Sequence, residues 1–495
     1  MLIIRHLSKR NMETSMNPIL ATALLLISLA LPAAWSQQKS QQNILAISNV
    51  TVIDATGAPA KPNMTVIITG DRITQIGNTG KVAIPKNAQL VDGKGKFLIP
   101  GLWDMHVHTL MNGLPENYFP MFIANGVTGV RDMGGDLEFL KQVRKDMSEG
   151  KLIGPHIVAG QMVDGPSPYW PTIALPISDE VGARKAVASA GDRGADFIKV
   201  YSLIPRRAYF ALADEAKKRG VTFAGHVPYF VSAREASDAG QKSIEHLEGI
   251  FLACSAIEPE LMKAIEEAAK DPSQIRTSFG RLRNEIEVKA IETYSQEKAA
   301  ALFARFAANG TWQAPTLVVI RAVASLNDSN FTNDPRLNYV RPRIRSDWKN
   351  QDDFRLKNKP SESVIRMALQ KRLELIGAMH RAGVKMLAAT DALVWYVFPG
   401  FSLHDELELF VKAGLSPMEA LQTATRNPAI YLGLSDTLGT VASGKTADLV
   451  LLEANPLEKI SNTKRIAAVI LGGRLIPKIS LDKMLKDAEL AASKN

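Results

Sequence analysis

The chain has 495 residues, of which 46% are hydrophobic and 22% charged, a composition that supports a large core with a smaller companion domain and excludes wholesale disorder. Its 59 basic and 50 acidic residues leave a formal charge of +9 scattered along the sequence, without the Lys/Arg runs or basic-aromatic motifs of nucleic-acid binding. The single cysteine, Cys254, excludes a disulfide within the chain.

Arg5, Lys9 and Arg10 precede the apolar run ILATALLLISLALPAA at residues 19–34, and Ala34 and Ser36 supply small residues at a cleavage-like spacing. This pattern predicts a signal peptide over 1–36 and export to a periplasmic or extracellular compartment. The run falls short of the roughly 20 residues of a membrane span, and no second one follows, so no integral membrane association is expected after cleavage. No cysteine follows the run, which removes a lipid-anchored reading.

From 44 to 100, short β-branched segments such as ILAISNVTVID and MTVIITGDRITQIGN alternate with Gly, Asp and Asn turns. The same texture returns over 437–480 in TADLVLLEANPL and RIAAVILGGRLIP, and the two stretches are expected to build one small β-sandwich. Between them, over 101–436, strand-like runs alternate with helical ones, the pattern of β/α units and a parallel sheet. The candidate strands are LWDMHVHTL, TGVRDM, HIVAGQMV, FIKVYS, TFAGHV, SIEHLEG, WQAPTLVVI and KMLAATDAL, the eight that a (β/α)8 TIM barrel requires. A doubly wound open sheet is the structural alternative, but no glycine-rich phosphate loop supports its usual use. Between strands six and seven, and again in the polar stretch 327–363, the chain departs from this rhythm in segments that read equally as lids or as solvated decoration. The C-terminal LDKMLKDAELAASKN reads as a short charged helix or a frayed tail.

On a strand, His106 and His108 project to one side while Val107 faces the other, so the pair can hold one metal ion or can be hydrogen-bonded core histidines. In a barrel the site lies at the C-terminal strand ends. There the sequence sets His226 at the end of strand five, His246 on strand six and Asp391 at the end of strand eight. Lys199 lies inside the apolar strand four, where a lysine is costly unless paired or modified. In the loop after strand three, Tyr169 and Trp170 are expected to wall an apolar or aromatic-accepting pocket, or else to pack on the barrel rim. His156 and His380 are expected to be structural or surface residues, and Arg206 and Arg207 surface residues unless they meet an anionic group.

Taken in order, PGLWDMHVHT, GVTGVRDMGG, FIKVY, GHV, IEHLEG, ATDAL and LGTVASGKTADLVLLEANPL resemble the amidohydrolase superfamily, in particular its secreted prolidase-like and imidazolonepropionase-like metal-dependent hydrolases. The resemblance implies a centre of two divalent ions, zinc first among them. His106 and His108 would bind one ion and His226 and His246 the other, with a carboxylated Lys199 bridging both. Asp391 would touch the first ion and act as general base, then as general acid. Tyr201 would help hold a substrate carboxylate, and His404 would stand behind the ligands rather than among them.

Related deaminases usually carry a glutamate soon after the strand-five histidine, whereas His226 is followed by VPYF; together with the bridging lysine this favours hydrolysis of an amide in a small peptide-like or N-acyl amino-acid substrate. Lactones and phosphoesters suit the same geometry and stay open. DGPSPYWPT at 164–172 replaces the glycine- and histidine-containing loop of many prolidase-like relatives, which puts the dipeptide carboxylate contact in doubt. A reading from another class, a metal-containing binding protein whose catalysis has lapsed, is opposed by the retention of Asp391 and Lys199. The oligomeric state, including a homo-oligomer, stays open.

Overall fold

The computed structural model describes residues 43–111, 115–268, 275–349 and 360–494. The leader expected over 1–36 lies outside the described residues.

Five strands, β1 (Ile44–Val52), β2 (Lys61–Thr69), β3 (Arg72–Asn78), β4 (Gln89–Asp92) and β5 (Phe97–Pro100), lead into the β/α region. The parallel sheet then takes β6 (Leu102–Val107), β7 (Val127–Asp132), β8 (His156–Asp164), β9 (Leu175–Pro176), β10 (Phe197–Val200), β11 (Phe223–Gly225), β12 (Ser243–Glu245) and β13 (Trp312–Ala314). The hydrogen-bonded order is β6-β7-β8-β10-β11-β12-β13, with β9 beside β8. The expected eighth strand is present as an extended segment without a regular ladder. Met386 bridges Gln313 of β13 and Ala392 bridges Val107 of β6, both in parallel sense, so the segment closes the barrel. Its pairing is broken because Asp391 takes a left-handed backbone, φ 64°, and the Thr390 hydroxyl turns to Asp104 Oδ2 at 2.6 Å.

The intervening helices pack one face on this sheet. The helix Arg206–Arg219 buries Ala208, Leu212 and Ala216 at intervals of four and ends at Gly220, whose φ of 66° suits a left-handed cap. Asp136 caps the helix Leu137–Ser148 by accepting from the Glu138 and Phe139 amides.

Three further strands, β14 (Leu449–Leu452), β15 (Ile466–Leu471) and β16 (Arg474–Pro477), join the N-terminal ones in the order β16-β15-β14-β5-β1-β2-β3, with β4 against β1. Where a sandwich was expected, the two ends of the chain form one continuous sheet, joined by the antiparallel pairing of β5 with β14. It curls until Arg72 of β3 bridges Thr446 ahead of β14, closing around Leu45, Ile47, Val66, Leu98, Leu449 and Ile470. The C-terminal stretch is a helix, Lys478–Ser493, docked on the helix Pro115–Ala124 with Leu481, Ala488 and Ala492 buried.

The departures from the β/α rhythm also fold. The helices Glu258–Ala268 and Ile275–Glu292 follow β12, and residues 327–349 form short helical turns, two of them capped by Asp328 and Asp334, instead of a solvated loop. Their apolar residues Val340 and Trp348 pack with Trp395, Tyr396 and Phe398 from beyond the closing segment. Residues 350–359 of that stretch lie outside the described residues.

Candidate metal centre

The six sequence-predicted ligands sit at the C-terminal ends of the barrel strands. His106 is the penultimate residue of β6, and a register shift between Asp104 and Val107 loosens its ladder to β7 at that point. Such bulges re-aim side chains near sites. His108 and His226 follow β6 and β11 directly, His246 follows β12, and Lys199 is the third residue of β10. The His106 and His246 rings lie 4.6 Å apart, His106 and His108 5.3 Å, and His226 and His246 5.0 Å. His106, His246 and Asp391 bring three ligand atoms within 4.8 Å of one another.

Each imidazole has its Nδ1 engaged by the protein. His106 Nδ1 is 2.8 Å from Glu245 Oε2, and His108 Nδ1 is 3.1 Å from the Gly134 carbonyl. His226 Nδ1 is 2.7 Å from Ser202 Oγ and 2.8 Å from Glu248 Oε2, while His246 Nδ1 is 2.7 Å from Thr316 Oγ1. A carboxylate and a carbonyl can only accept, so His106 and His108 donate from Nδ1, and in the neutral rings Nε2 carries a lone pair. Those two Nε2 atoms face Asp391 Oδ1 at 3.5 and 3.3 Å. Burial keeps His106 well below the ordinary histidine range, hence neutral, and its Nε2 has no hydrogen-bond partner among the described residues. Burial likewise brings His246 down to about 3. Burial pushes Asp391 upward, but its histidine neighbours, His108 through a hydrogen bond among them, outweigh this and hold it below the ordinary carboxylate range. Burial lowers His108, but its hydrogen bond to Asp391, with that carboxylate's charge, outweighs this and raises it. At His106 an acceptor nitrogen faces an acceptor oxygen, an arrangement a cation would satisfy, so these residues fit a divalent metal ion.

Sequence reasoning passed over the group that holds His106. Arg131, fully buried on β7, donates to both Glu245 oxygens at 2.8 and 2.9 Å, to the Met105 carbonyl at 2.6 Å, to Ser243 Oγ at 2.9 Å and to Tyr431 Oη at 2.8 Å. Its guanidinium fixes Glu245, and Glu245 fixes the ring. An arginine inside the apolar strand TGVRDM, and a glutamate directly before His246, were the available signals. Glu248, Ser202 and Thr316 were missed as well.

Lys199 is fully buried, and its Nζ has no hydrogen-bond partner among the described residues. Burial lowers its ammonium to about 8. Beside it, Gly225 has φ 140°, and a Cβ there would stand 2.1 Å from the Val200 carbonyl oxygen and 2.9 Å from Lys199 Cδ, so the GHV motif needs its glycine. Left-handed backbones at His246, Thr316 and Asp391, with φ of 59°, 48° and 64°, gather in the same place, as strained residues do at functional sites.

The centre lies at the base of a cleft of about 1950 Å³, counting its open mouth, lined by His108, His226, His246 and Asp391 and by Trp170, Trp348 and Trp395 above them. Tyr201 also lines it, its hydroxyl accepting from Trp170 Nε1 at 3.1 Å and its ring 4.1 Å from that of His226. Tyr169 does not line the cleft. Its ring packs edge-on to Tyr201 at 5.9 Å, and its amide donates to Asp164, which also accepts from Leu203 and so pins the loop. His404 is set apart from the ligands: Nδ1 meets Thr463 Oγ1 at 2.9 Å and Nε2 the Asn125 carbonyl at 3.1 Å, a buried link between helices rather than support for the centre. His156 pairs with Asp448 at 2.9 Å and His380 with Glu419 at 3.1 Å. Arg206 and Arg207 meet Glu235 and Glu180 at the surface.

Comparison with known proteins gives a match to the model of the Amidohydrolase family over residues 97–476. An imidazolonepropionase from Rubrobacter xylanophilus is 35% identical over 108 residues, 20% of this chain and 25% of that protein. The chain thus spans about a quarter of that relative's length. Among solved structures, a bottromycin amidohydrolase is similar with a TM-score of 0.70 at 23% identity, covering 92% of this chain and 91% of that one. A Xaa-Pro dipeptidase with bound methionine gives 0.62 at 20% identity, covering 88% and 100%. At these identities the likeness is one of fold. Among the described residues no helix is long and apolar enough to cross a membrane.

Proposed function

The chain belongs to the amidohydrolase family, and from that premise we propose that it is an exported, metal-dependent hydrolase of an amide bond in a small peptide-like or N-acyl amino-acid substrate. The observation that carries the proposal is the set of four histidines, each held at Nδ1 by the protein, around the ionised Asp391 and the buried Lys199. His106, His108, His226, His246, Lys199 and Asp391 would hold two divalent ions, zinc first. Once bound, the ions supply Lewis-acid polarisation of a carbonyl and acidification of water.

The chain's own residues do the rest. Asp391 accepts a proton as water adds to the amide carbon, then delivers it to the departing nitrogen as the C–N bond breaks, so one carboxylate serves both halves of the reaction. Lys199 would serve as a ligand to the ions once its neutral amine has added carbon dioxide, releasing one proton and becoming an anionic carbamate. Its buried Nζ, without a hydrogen-bond partner among the described residues, and its lowered proton affinity support this. Trp170 and Tyr201 form an aromatic wall that excludes water from one side of the reacting bond. The domain arrangement proposed is a barrel over 101–436 and a terminal β-domain drawn from 44–100 and 437–480.

The test is hydrolysis of a panel of N-acyl amino acids and X-Pro dipeptides by the mature chain, before chelation, after it, and after zinc is restored. Cleavage that is lost and recovered supports the proposal. Amides untouched in every state, with lactones or phosphoesters cleaved, would replace the substrate class.

A further inference from the structure

Beside His246 a second pocket of about 710 Å³, counting its open mouth, adjoins the cleft and shares lining residues with it. Its walls are apolar, with Val227, Val231, Leu247, Phe251, Leu252 and Ile286 among them. Glu287 and Arg372 line both spaces and therefore stand where the two meet. Arg372 comes from the helix Glu362–Arg381 and is only 6% exposed, although it is the one lysine or arginine among the described residues that line either space.

A buried guanidinium normally fills its five N–H donors. Here Nη2 lies 2.5 Å from Glu287 Oε1, Nη1 reaches the Ala368 carbonyl only at 3.5 Å, and Nε has no partner among the described residues. The group is fixed in place, over the Phe251 ring at 5.6 Å, but is under-used as a donor. Leaving donors unmade in a buried site is costly unless a ligand completes them.

We propose that Arg372 is a specificity-determining residue that binds the carboxylate of the substrate's amino-acid half, while that residue's large apolar side chain enters the adjoining cavity. This rests on the amide-hydrolase reading and narrows it: the substrate is an N-acyl derivative of a bulky apolar amino acid, with its acyl half toward Trp170 and Tyr201. It also supplies the carboxylate contact that the altered 164–172 loop leaves in doubt.

The probes are 3-phenylpropionate and 3-phenylpropanol, which share the apolar group and differ in the anionic head. Binding to the metal-loaded chain is measured by calorimetry, and wild type is compared with Arg372→Met and Arg372→Lys. The wild type is expected to favour the carboxylate, and Arg372→Met to lose about 10–100-fold of that preference while still binding the alcohol, the range for one charge-assisted hydrogen-bonding group. Arg372→Lys should retain part of it. Leu252→Trp, which fills the side cavity and leaves Arg372 in place, should weaken both probes alike and keep their ratio, so the proposal stays testable if the arginine variants misfold. An unchanged ratio in Arg372→Met, or no binding of either probe to wild type, would overturn the proposal. Binding as expected without cleavage of any N-acyl amino acid would overturn the N-acyl amino-acid substrate reading and leave the carboxylate site standing.

Discussion

Replacing Arg131 by methionine separates the stability of the barrel from the geometry of the proposed metal centre. The substitution removes a fully buried cation and leaves the Glu245 carboxylate, itself fully buried, with donors among the described residues only from His106 and Ser243. Breaking a buried pair by removing one partner costs about 3–5 kcal/mol. At about 2.1 cal/mol/K per residue, the roughly 430 described residues unfold with an entropy of about 0.9 kcal/mol/K, so Tm should fall by about 3–5 °C. The pair Arg131→Met with Glu245→Leu removes both charges, and replacement of buried ion pairs by apolar residues is often close to neutral. The double variant should therefore recover most of the lost Tm. It should not recover metal affinity, because His106 Nδ1 has lost the acceptor that orients it, and loss of such a partner typically weakens metal binding about 10–100-fold. Calorimetric melting and zinc titration of the three proteins read the two quantities separately. A double variant that regains both, or a single variant with unchanged Tm, would refute the reasoning.

Asp391→Asn should keep the fold and lower the turnover number by a factor of about 100 or more, since a positioned acid-base group contributes about 10²–10⁴-fold; a smaller loss would assign the proton transfers elsewhere. Gly225→Ala should cost about 1–3 kcal/mol from its disfavoured φ and also reduce activity, because the added methyl presses on Lys199; melting and kinetics should fall together. Trp170→Ala should change the ranking of small against bulky acyl groups, and identical kinetics across both would remove the aromatic wall from the account. His156 is raised above the usual histidine range by its hydrogen bond to Asp448, so its pairing stabilises the fold fully below about pH 6.5 and ceases to as pH rises through the folded-state value. The Tm difference between wild type and His156→Gln should therefore shrink from pH 5.5 to 8.5, and a constant difference would contradict it.

The barrel and the candidate ligands were legible because several buried strands carry a chemically unusual residue at or near their C-terminal ends, so both signals fall in the same few positions. His106, Lys199, His226 and His246 were found that way, each being polar where a buried strand should be apolar. Arg131 and Glu245 satisfy the same criterion, but they pair across β7 and β12, and a pairing between residues 114 positions apart is visible only once the barrel closes. His404 went astray for the converse reason: a histidine beside the last strand resembles a ligand's neighbour in sequence, yet the helix Phe401–Lys412 turns it toward Asn125 and Thr463. The sandwich became a single curled sheet because hairpin texture reports strands and not which edge they share, and the β5–β14 pairing joins segments with a whole barrel between them. Arg372 lies on a helix whose periodicity is that of any packed helix, so its place between two cavities had no local signature.

The central claim is that the held histidines, Lys199 and Asp391 form a metal centre, and elemental analysis of the purified chain tests it most directly. The account predicts about two divalent ions per chain in the wild type and a fall to about one or fewer in Lys199→Met, whose side chain fills the space without offering a ligand. A wild type that takes up no divalent ion from a zinc-supplemented solution, or a Lys199→Met variant with the full complement, would contradict it.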